Sequence, residues 1–203
     1  MHRRSFLAVL LTAALCVGGC TAPVEDSSAF YTREVSSGVP QLPAGASVEV
    51  TLTAASDAAD LFARRPELSS AIASYLPGYV GTALYAGSHL TLVVEVLGAR
   101  ETEDGAELYV DGSVYWWSLA SGELDFPSGG ELIGRMRFER SENELQFVAW
   151  DQPLDGELLV PGIRTLFPAP YADRAIQRLG NRQEQWRLSE ELGRRWADQQ
   201  SDD

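Results

Sequence analysis

The sequence contains no lysine, and this is the first of three shortages that limit what the protein can do. All 16 basic residues are arginine, which indicates a GC-rich genome because arginine has GC-rich codons and lysine does not. Acidic residues number 29, so acids clearly outnumber bases. A surface of that charge repels nucleic acid and anionic lipid headgroups. We therefore expect no nucleic-acid partner.

Cysteine and histidine are the other two scarce residues, with two of each. Cys16 and Cys20 both lie near the N-terminus, so the rest of the chain can form neither a disulfide nor a thiolate metal site. Beyond the N-terminus the chain has a single histidine, His89, and a transition-metal site would need carboxylates almost alone. The carboxylates also lack the spacing of a calcium-binding loop. We expect no metal and no cofactor.

The sequence also lacks the residue patterns that are typical of nucleophilic or acid–base catalysis. Ser88 and His89 are neighbours at a predicted strand start, where they point to opposite faces and cannot form a dyad. No glycine-rich phosphate loop, Gly-x-Ser-x-Gly or His-Glu-x-x-His pattern is present. Two groups of carboxylates lie in predicted turns, where solvated charge is the usual finding: Glu101, Glu103 and Asp104, and Asp151 and Asp155. We expect a non-catalytic protein, with a hydrolase as a remote alternative.

The first twenty residues have the order of a secretory signal peptide. Arg3 and Arg4 form a cationic start, an apolar run of about a dozen residues follows from Phe6 to Val17, and small residues precede Cys20. The run is too short for a transmembrane helix, which needs about 20 apolar residues. The sequence therefore predicts export.

The end of this segment, Val17-Gly18-Gly19-Cys20, resembles the lipobox of bacterial lipoproteins. The resemblance implies that Cys20 receives a diacylglyceryl group, and that cleavage after Gly19 makes it the first mature residue. Cys16 does not fit, because the bulky Leu15 precedes it. Two or three palmitate-type chains anchor more stably than the single chain that binds membranes reversibly. An ordinary signal peptide with a chance cysteine is the alternative.

The export route and the target membrane follow from neighbouring residues. The segment His2-Arg3-Arg4-Ser5-Phe6-Leu7 resembles a twin-arginine motif, and the general export route is the alternative. Thr21 stands where enteric-type lipoproteins retained in the inner membrane have Asp. If the cell has two membranes, the periplasmic face of the outer membrane is favoured.

Composition divides the chain into three parts. Removal of the predicted signal, residues 1–19, leaves 184 residues with 14 arginines against 29 acids, a formal charge of −15. Residues 20–45 are rich in Ser, Pro and Gly and are predicted to form a flexible tether after the lipidated cysteine. Phe30 and Tyr31 are aromatic exceptions within this polar segment. They either dock on the domain or occur there by chance. Residues 46–203 are predicted to form one domain with its own core.

Hydrophobic periodicity predicts an α+β domain with its elements in the order β-α-β-β-β-β-α. The predicted strands are residues 47–53, 90–97, 107–118, 132–139 and 145–150. A helix is predicted from Ser56 to Pro77-Gly78, with a kink or restart at Pro66. The C-terminal pattern is helical, with a stop at Gly180. The order indicates an antiparallel sheet of about five strands with helices packed on one side.

The proline-rich segment 151–171 is predicted to be a long irregular connection, with room for a short strand at 158–160. Before it, Tyr115-Trp116-Trp117 puts large aromatics on both faces of one strand. Tyr115 and Trp117, with Trp150 on a neighbouring strand, are our candidate contact surface. The alternative is that the C-terminal helix covers them.

The sequence therefore supports two main functional hypotheses. The first is a membrane-anchored envelope lipoprotein that binds a protein partner, and the second is a module that holds a lipid or apolar small molecule between sheet and helix. A solid core with an exposed aromatic patch would favour the first hypothesis. An empty apolar cavity under the C-terminal helix would favour the second.

Overall fold

The computed structural model of the protein describes residues 29–34, 39–81, 87–142 and 144–201. These residues form six strands and five α-helices. The strands are β1 (Phe30–Glu34), β2 (Ser47–Ala54), β3 (His89–Glu101), β4 (Gly105–Ala120), β5 (Glu123–Ser141) and β6 (Glu144–Pro153). The helices are α1 (Ser56–Arg64), α2 (Pro66–Gly81), α3 (Leu159–Leu166), α4 (Ala169–Arg178) and α5 (Gln183–Ser201).

The strands form one sheet in the order β1-β6-β5-β4-β3-β2. The predicted meander from β3 to β6 is confirmed, and all its pairs are antiparallel. β2 runs parallel to β3 because α1 and α2 form the crossover between them. The mixed α+β class predicted from the sequence is therefore confirmed, with six strands in place of about five.

The additional strand comes from the segment that the sequence assigned to the tether. β1 pairs antiparallel with β6, and Phe30 lies opposite Pro153. Thr32 donates a hydrogen bond of 2.6 Å to the buried carboxylate of Asp151. The predicted boundary at residue 45 is thus wrong, because the sheet includes Phe30–Glu34.

Helices cover both faces of the sheet, so the expectation of helices on one side is wrong. Along β3 and β4, residues such as Leu92 and Trp116 join the core beneath α1 and α2. Their neighbours point the other way, where Thr91 and Trp117 hydrogen-bond to Ser189 of α5. Strands that are apolar on both faces need cover on both sides, which is why a single helical layer would not suffice.

Three of the four prolines in the predicted irregular connection, Pro161, Pro168 and Pro170, lie at the starts of helices. β6 ends at Pro153, a 3₁₀ turn spans Gly156–Leu158, and α3 and α4 follow. Pro161 and Pro170 lie in the first turns of those helices, where a missing N–H breaks no hydrogen bond. The predicted irregular connection and short strand are therefore wrong. At Pro66 the predicted restart is confirmed, because α2 begins there.

Candidate functional site

Tyr115 and Trp117, two of the predicted contact residues, lie under α5. Their side chains are 8% and 2% exposed. The ring centroids of Tyr115 and Trp117 lie 5.2 and 5.5 Å from that of Trp186 on α5. Our alternative interpretation, that the C-terminal helix covers these residues, is therefore the one that applies to Tyr115 and Trp117. We call Tyr115, Trp117, Phe126 and Trp186 the aromatic cluster.

Trp150, the third predicted contact residue, lies on the opposite face of the sheet. It is fully buried, pairs with Met136 of β5 and belongs to the core beneath α2. Its indole Nε1 donates a hydrogen bond of 3.2 Å to Gln152 Oε1. The prediction that Trp150 lies beside Tyr115 and Trp117 is wrong, because β5 separates β6 from β4 and the register turns Trp150 towards α2.

The outer part of the aromatic cluster reaches solvent. Phe126 is 39% exposed, and its ring centroid lies 4.7 Å from that of the half-buried Trp186, edge to face. We call these two residues the aromatic patch. Phe126 could not be picked out from the sequence, because Ser121-Gly122 and Pro127-Ser128-Gly129-Gly130 are typical of a loop. Ser121 and Gly122 instead form a tight turn with φ of 55° and 84°, and β5 begins at Glu123.

The contact between α5 and Trp117 leaves no space for a ligand. A Cβ on Gly193 would lie 2.9 Å from the indole ring of Trp117. The Trp117 Nε1 donates a hydrogen bond of 2.9 Å to Thr91 Oγ1. An adjoining cleft of about 410 Å³ between β2, β3 and α5 includes the charged residues Glu95 and Arg178 in its lining. Those charges are poorly suited to an acyl chain.

Two buried carboxylates on the α3–α5 face are each bound by two arginines. Asp111 accepts hydrogen bonds of 2.7 and 2.9 Å from Arg182 and is 3.5 Å from Arg178. Burial raises the pKa of Asp111, and the positive charges of the two arginines oppose that rise. Asp151 accepts bonds of 2.9 Å from Arg135 and 2.8 Å from Arg137. These groups are held as structural ion pairs, which leaves neither carboxylate free for acid–base work.

His89 has a serine partner that the sequence did not indicate. Ser47 Oγ lies 2.8 Å from His89 Nδ1, while the imidazole stacks on Trp196 at a centroid distance of 5.0 Å. Among the described residues His89 Nε2 is buried without a partner, so no acid orients the ring. Burial lowers the pKa of His89 to about 4, which makes it a weak base near neutral pH. The pair therefore has the geometry of a hydrogen bond in the core rather than of an activated nucleophile.

A second cleft, of about 380 Å³, lies on the α2 face beside β1 and β6. Its lining includes Tyr31, Arg33, Tyr79, Gln152 and Asp155. Arg33 Nη1 donates a bond of 2.7 Å to the backbone oxygen of Tyr79. From the sequence we noted Tyr31 and Asp155, but not as members of a cleft. The cleft could not be predicted, because its residues come from elements that are far apart in the chain.

Comparison of the chain with family models, with curated proteins and with solved structures gives no match. The fold therefore defines the described part of the chain as a domain of the mixed α+β class. Within the described ranges no group of three or more His, Cys, Asp or Glu residues is placed to hold a metal ion. None of the helices described combines the length and apolarity that a membrane span requires. Cys20 and the predicted signal lie outside the described residues.

Proposed function

We propose that the protein is a non-catalytic lipoprotein of the bacterial envelope, anchored through Cys20, whose domain binds a protein partner through the aromatic patch. The single observation that carries the binding role is the exposure of Phe126 against Trp186. The anchoring role depends on the lipobox-like segment Val17-Gly18-Gly19-Cys20. Together they give a domain held at a membrane surface with an apolar surface available for contact.

The patch has the properties of a protein-binding anchor. Aromatic side chains provide a large contact area at low entropic cost and are enriched among binding hot spots. Phe126 and Trp186 are also preorganised, because both pack against the buried Tyr115 and Trp117. Preorganised side chains lose less freedom when a partner binds.

The surroundings of the patch indicate the chemistry of the partner. Asp125, next to Phe126 in β5, accepts a hydrogen bond from Ser118 and so points away from Trp117. Glu190, one helical turn after Trp186, pairs with Arg194. Charges at the rim of an interface select partners of the opposite sign. Because Asp125 points away and Glu190 is already paired, the patch selects for an apolar partner surface.

The alternative function, holding a lipid between sheet and helix, has less support. Trp117 already fills the space against Gly193, and charged side chains line the adjoining cleft. A buried acyl chain would also leave those charges without water. A protein partner bound at the aromatic patch would leave those charges in contact with water.

The test is site-specific photo-crosslinking of the full chain in membranes of its own host. A photoreactive phenylalanine replaces Phe126 in one variant and, as the matched control, Leu158 in another, because Leu158 is similarly exposed at 43%. The proposal predicts one discrete adduct from position 126 that is absent from position 158. Adding Trp186→Ala should abolish the adduct. The absence of an adduct from position 126, or the same adduct from both positions, would refute the binding role.

A further inference from the structure

Arg33 is an arginine held in place without a carboxylate partner among the described residues. Most described arginines pair with Asp or Glu, as Arg135 and Arg182 do. Arg33 instead donates to the Tyr79 backbone oxygen, and its guanidinium carbon lies 5.5 Å from the centre of the Tyr31 ring. A guanidinium has five N–H donors, more than these two neighbours can use. Arg33 thus brings a fixed positive charge to the lining of the cleft.

Tyr79 adds a hydroxyl group that lacks a partner within the described chain. Its side chain is 2% exposed and lines the same cleft. The hydroxyl makes no hydrogen bond to any described residue. The hydroxyl oxygen is itself buried, and the ring packs edge to face on Phe147 of the core. Tyr79 therefore contributes to the cleft through its backbone oxygen, which holds Arg33 in place.

Gln152 and Asp155 complete the polar lining. The Gln152 Oε1 accepts bonds from Tyr31 at 2.6 Å and from Trp150 at 3.2 Å, which orients its side-chain amide. With the oxygen used twice, the NH₂ group remains as a donor. Glu131 also lines the cleft, but its carboxylate accepts from Arg182. Asp155 is therefore the carboxylate that can face a ligand there.

We propose that this cleft binds a free amino acid or a similarly small zwitterion. The carboxylate of the ligand pairs with Arg33 and accepts a hydrogen bond from the Gln152 amide, while its ammonium group faces Asp155. A volume of about 380 Å³ is at the small end of the range for ligand pockets, about 300 to 1,000 Å³. This site is on the opposite face of the sheet from the aromatic patch, and its existence does not depend on the protein-binding role.

Isothermal titration calorimetry of the full-length protein in detergent tests the proposal. The probes are the twenty common amino acids and, for each one that binds, its carboxamide and its N-acetyl derivative. We expect at least one amino acid to bind with a dissociation constant below about 1 mM. Loss of either the carboxylate or the ammonium charge should weaken binding more than about tenfold, because each removes a charge-assisted contact.

Three variants separate the ligand site from folding. Gln152→Glu keeps the oxygen to which Tyr31 and Trp150 donate, so it should keep the melting temperature of the wild type, but it should weaken binding more than about threefold because it removes the amide donor. Arg33→Gln should weaken binding more than about tenfold. Arg100→Gln is the control, because Arg100 is exposed and has no described carboxylate partner but lies outside this cleft. The proposal is overturned if no amino acid binds the wild type, if the carboxamide binds as well as the acid, or if Gln152→Glu and Arg33→Gln bind like the control.

Discussion

Trp117 is the residue on which the contact between α5 and the sheet most depends. Because its indole is 2% exposed and packs against Gly193 and Trp186, Trp117→Ala should cost about 3 to 5 kcal/mol of unfolding free energy. Leu158→Ala, at an exposed apolar position, should stay within about 0.5 kcal/mol of the wild type. Urea unfolding measures both values. A cost below about 1 kcal/mol for Trp117→Ala would mean that α5 does not cover this face.

His89 should make stability depend on pH. Its pKa is about 4 when folded and 6.5 when unfolded, so the unfolded chain binds the proton more readily. The stabilisation is therefore complete above pH 6.5 and is lost as pH falls towards 4, by up to about 3 kcal/mol. His89→Gln removes the titrating group, and its unfolding free energy should fall less over that range.

Denaturation curves at pH 7.5 and pH 4 give the unfolding free energy of each protein. Subtracting the variant's value from the wild-type value at each pH removes the contribution of the carboxylates, which titrate in both proteins. An equal loss of stability in wild type and His89→Gln would contradict the buried, uncharged state of His89.

At the scale of single residues, face assignments within a strand could be predicted but partners across the sheet could not. Alternation placed Trp116 and Trp117 on opposite faces, and they do lie there. Trp150 was misplaced because its face depends on the register between β5 and β6, which shifts at Arg137 and Phe138. Ser47 was missed as the partner of His89 because the two residues meet only when β2 pairs with β3.

At the scale of elements, β1 is the strand whose removal tests where the domain begins. It covers the outer edge of β6, and its Thr32 bonds to the buried carboxylate of Asp151. A chain that begins at residue 46 would expose that edge, and exposed strand edges promote aggregation. We expect it to melt at a lower temperature and aggregate more than a chain that begins at residue 29. Light scattering during thermal melting compares them, and identical behaviour would mean that β1 is not part of the stable domain.

The elements that the sequence predicted well are those with strong periodicity. The meander from β3 to β6 follows from alternating residues and turn signals, and these local patterns need no tertiary information. β1 was assigned to the tether because five residues next to Ser- and Pro-rich sequence carry too weak a pattern. Pro161 and Pro170 were interpreted as loop residues, although proline is equally compatible with the first turn of a helix.

At the scale of the whole molecule, the two proposed sites have different origins. The aromatic patch arises from Phe126 and Trp186, which are separated in sequence and meet only because α5 crosses the β4–β5 hairpin. The Arg33 cleft needs β1, β6 and α2 together. Neither could be predicted from the sequence, since each requires the tertiary fold, whereas the predicted anchor at Cys20 rests on a local pattern of four residues.

Lipid attachment at Cys20 is the claim on which the placement of both sites at a membrane depends. Metabolic labelling of the host with an alkyne-bearing palmitate tests it most directly, using wild type, Cys20→Ser and, as the matched control, Cys16→Ser. We expect label and membrane association for wild type and Cys16→Ser, and an unlabelled, uncleaved precursor for Cys20→Ser. Label on the Cys20→Ser protein, or none on the wild type, would contradict it.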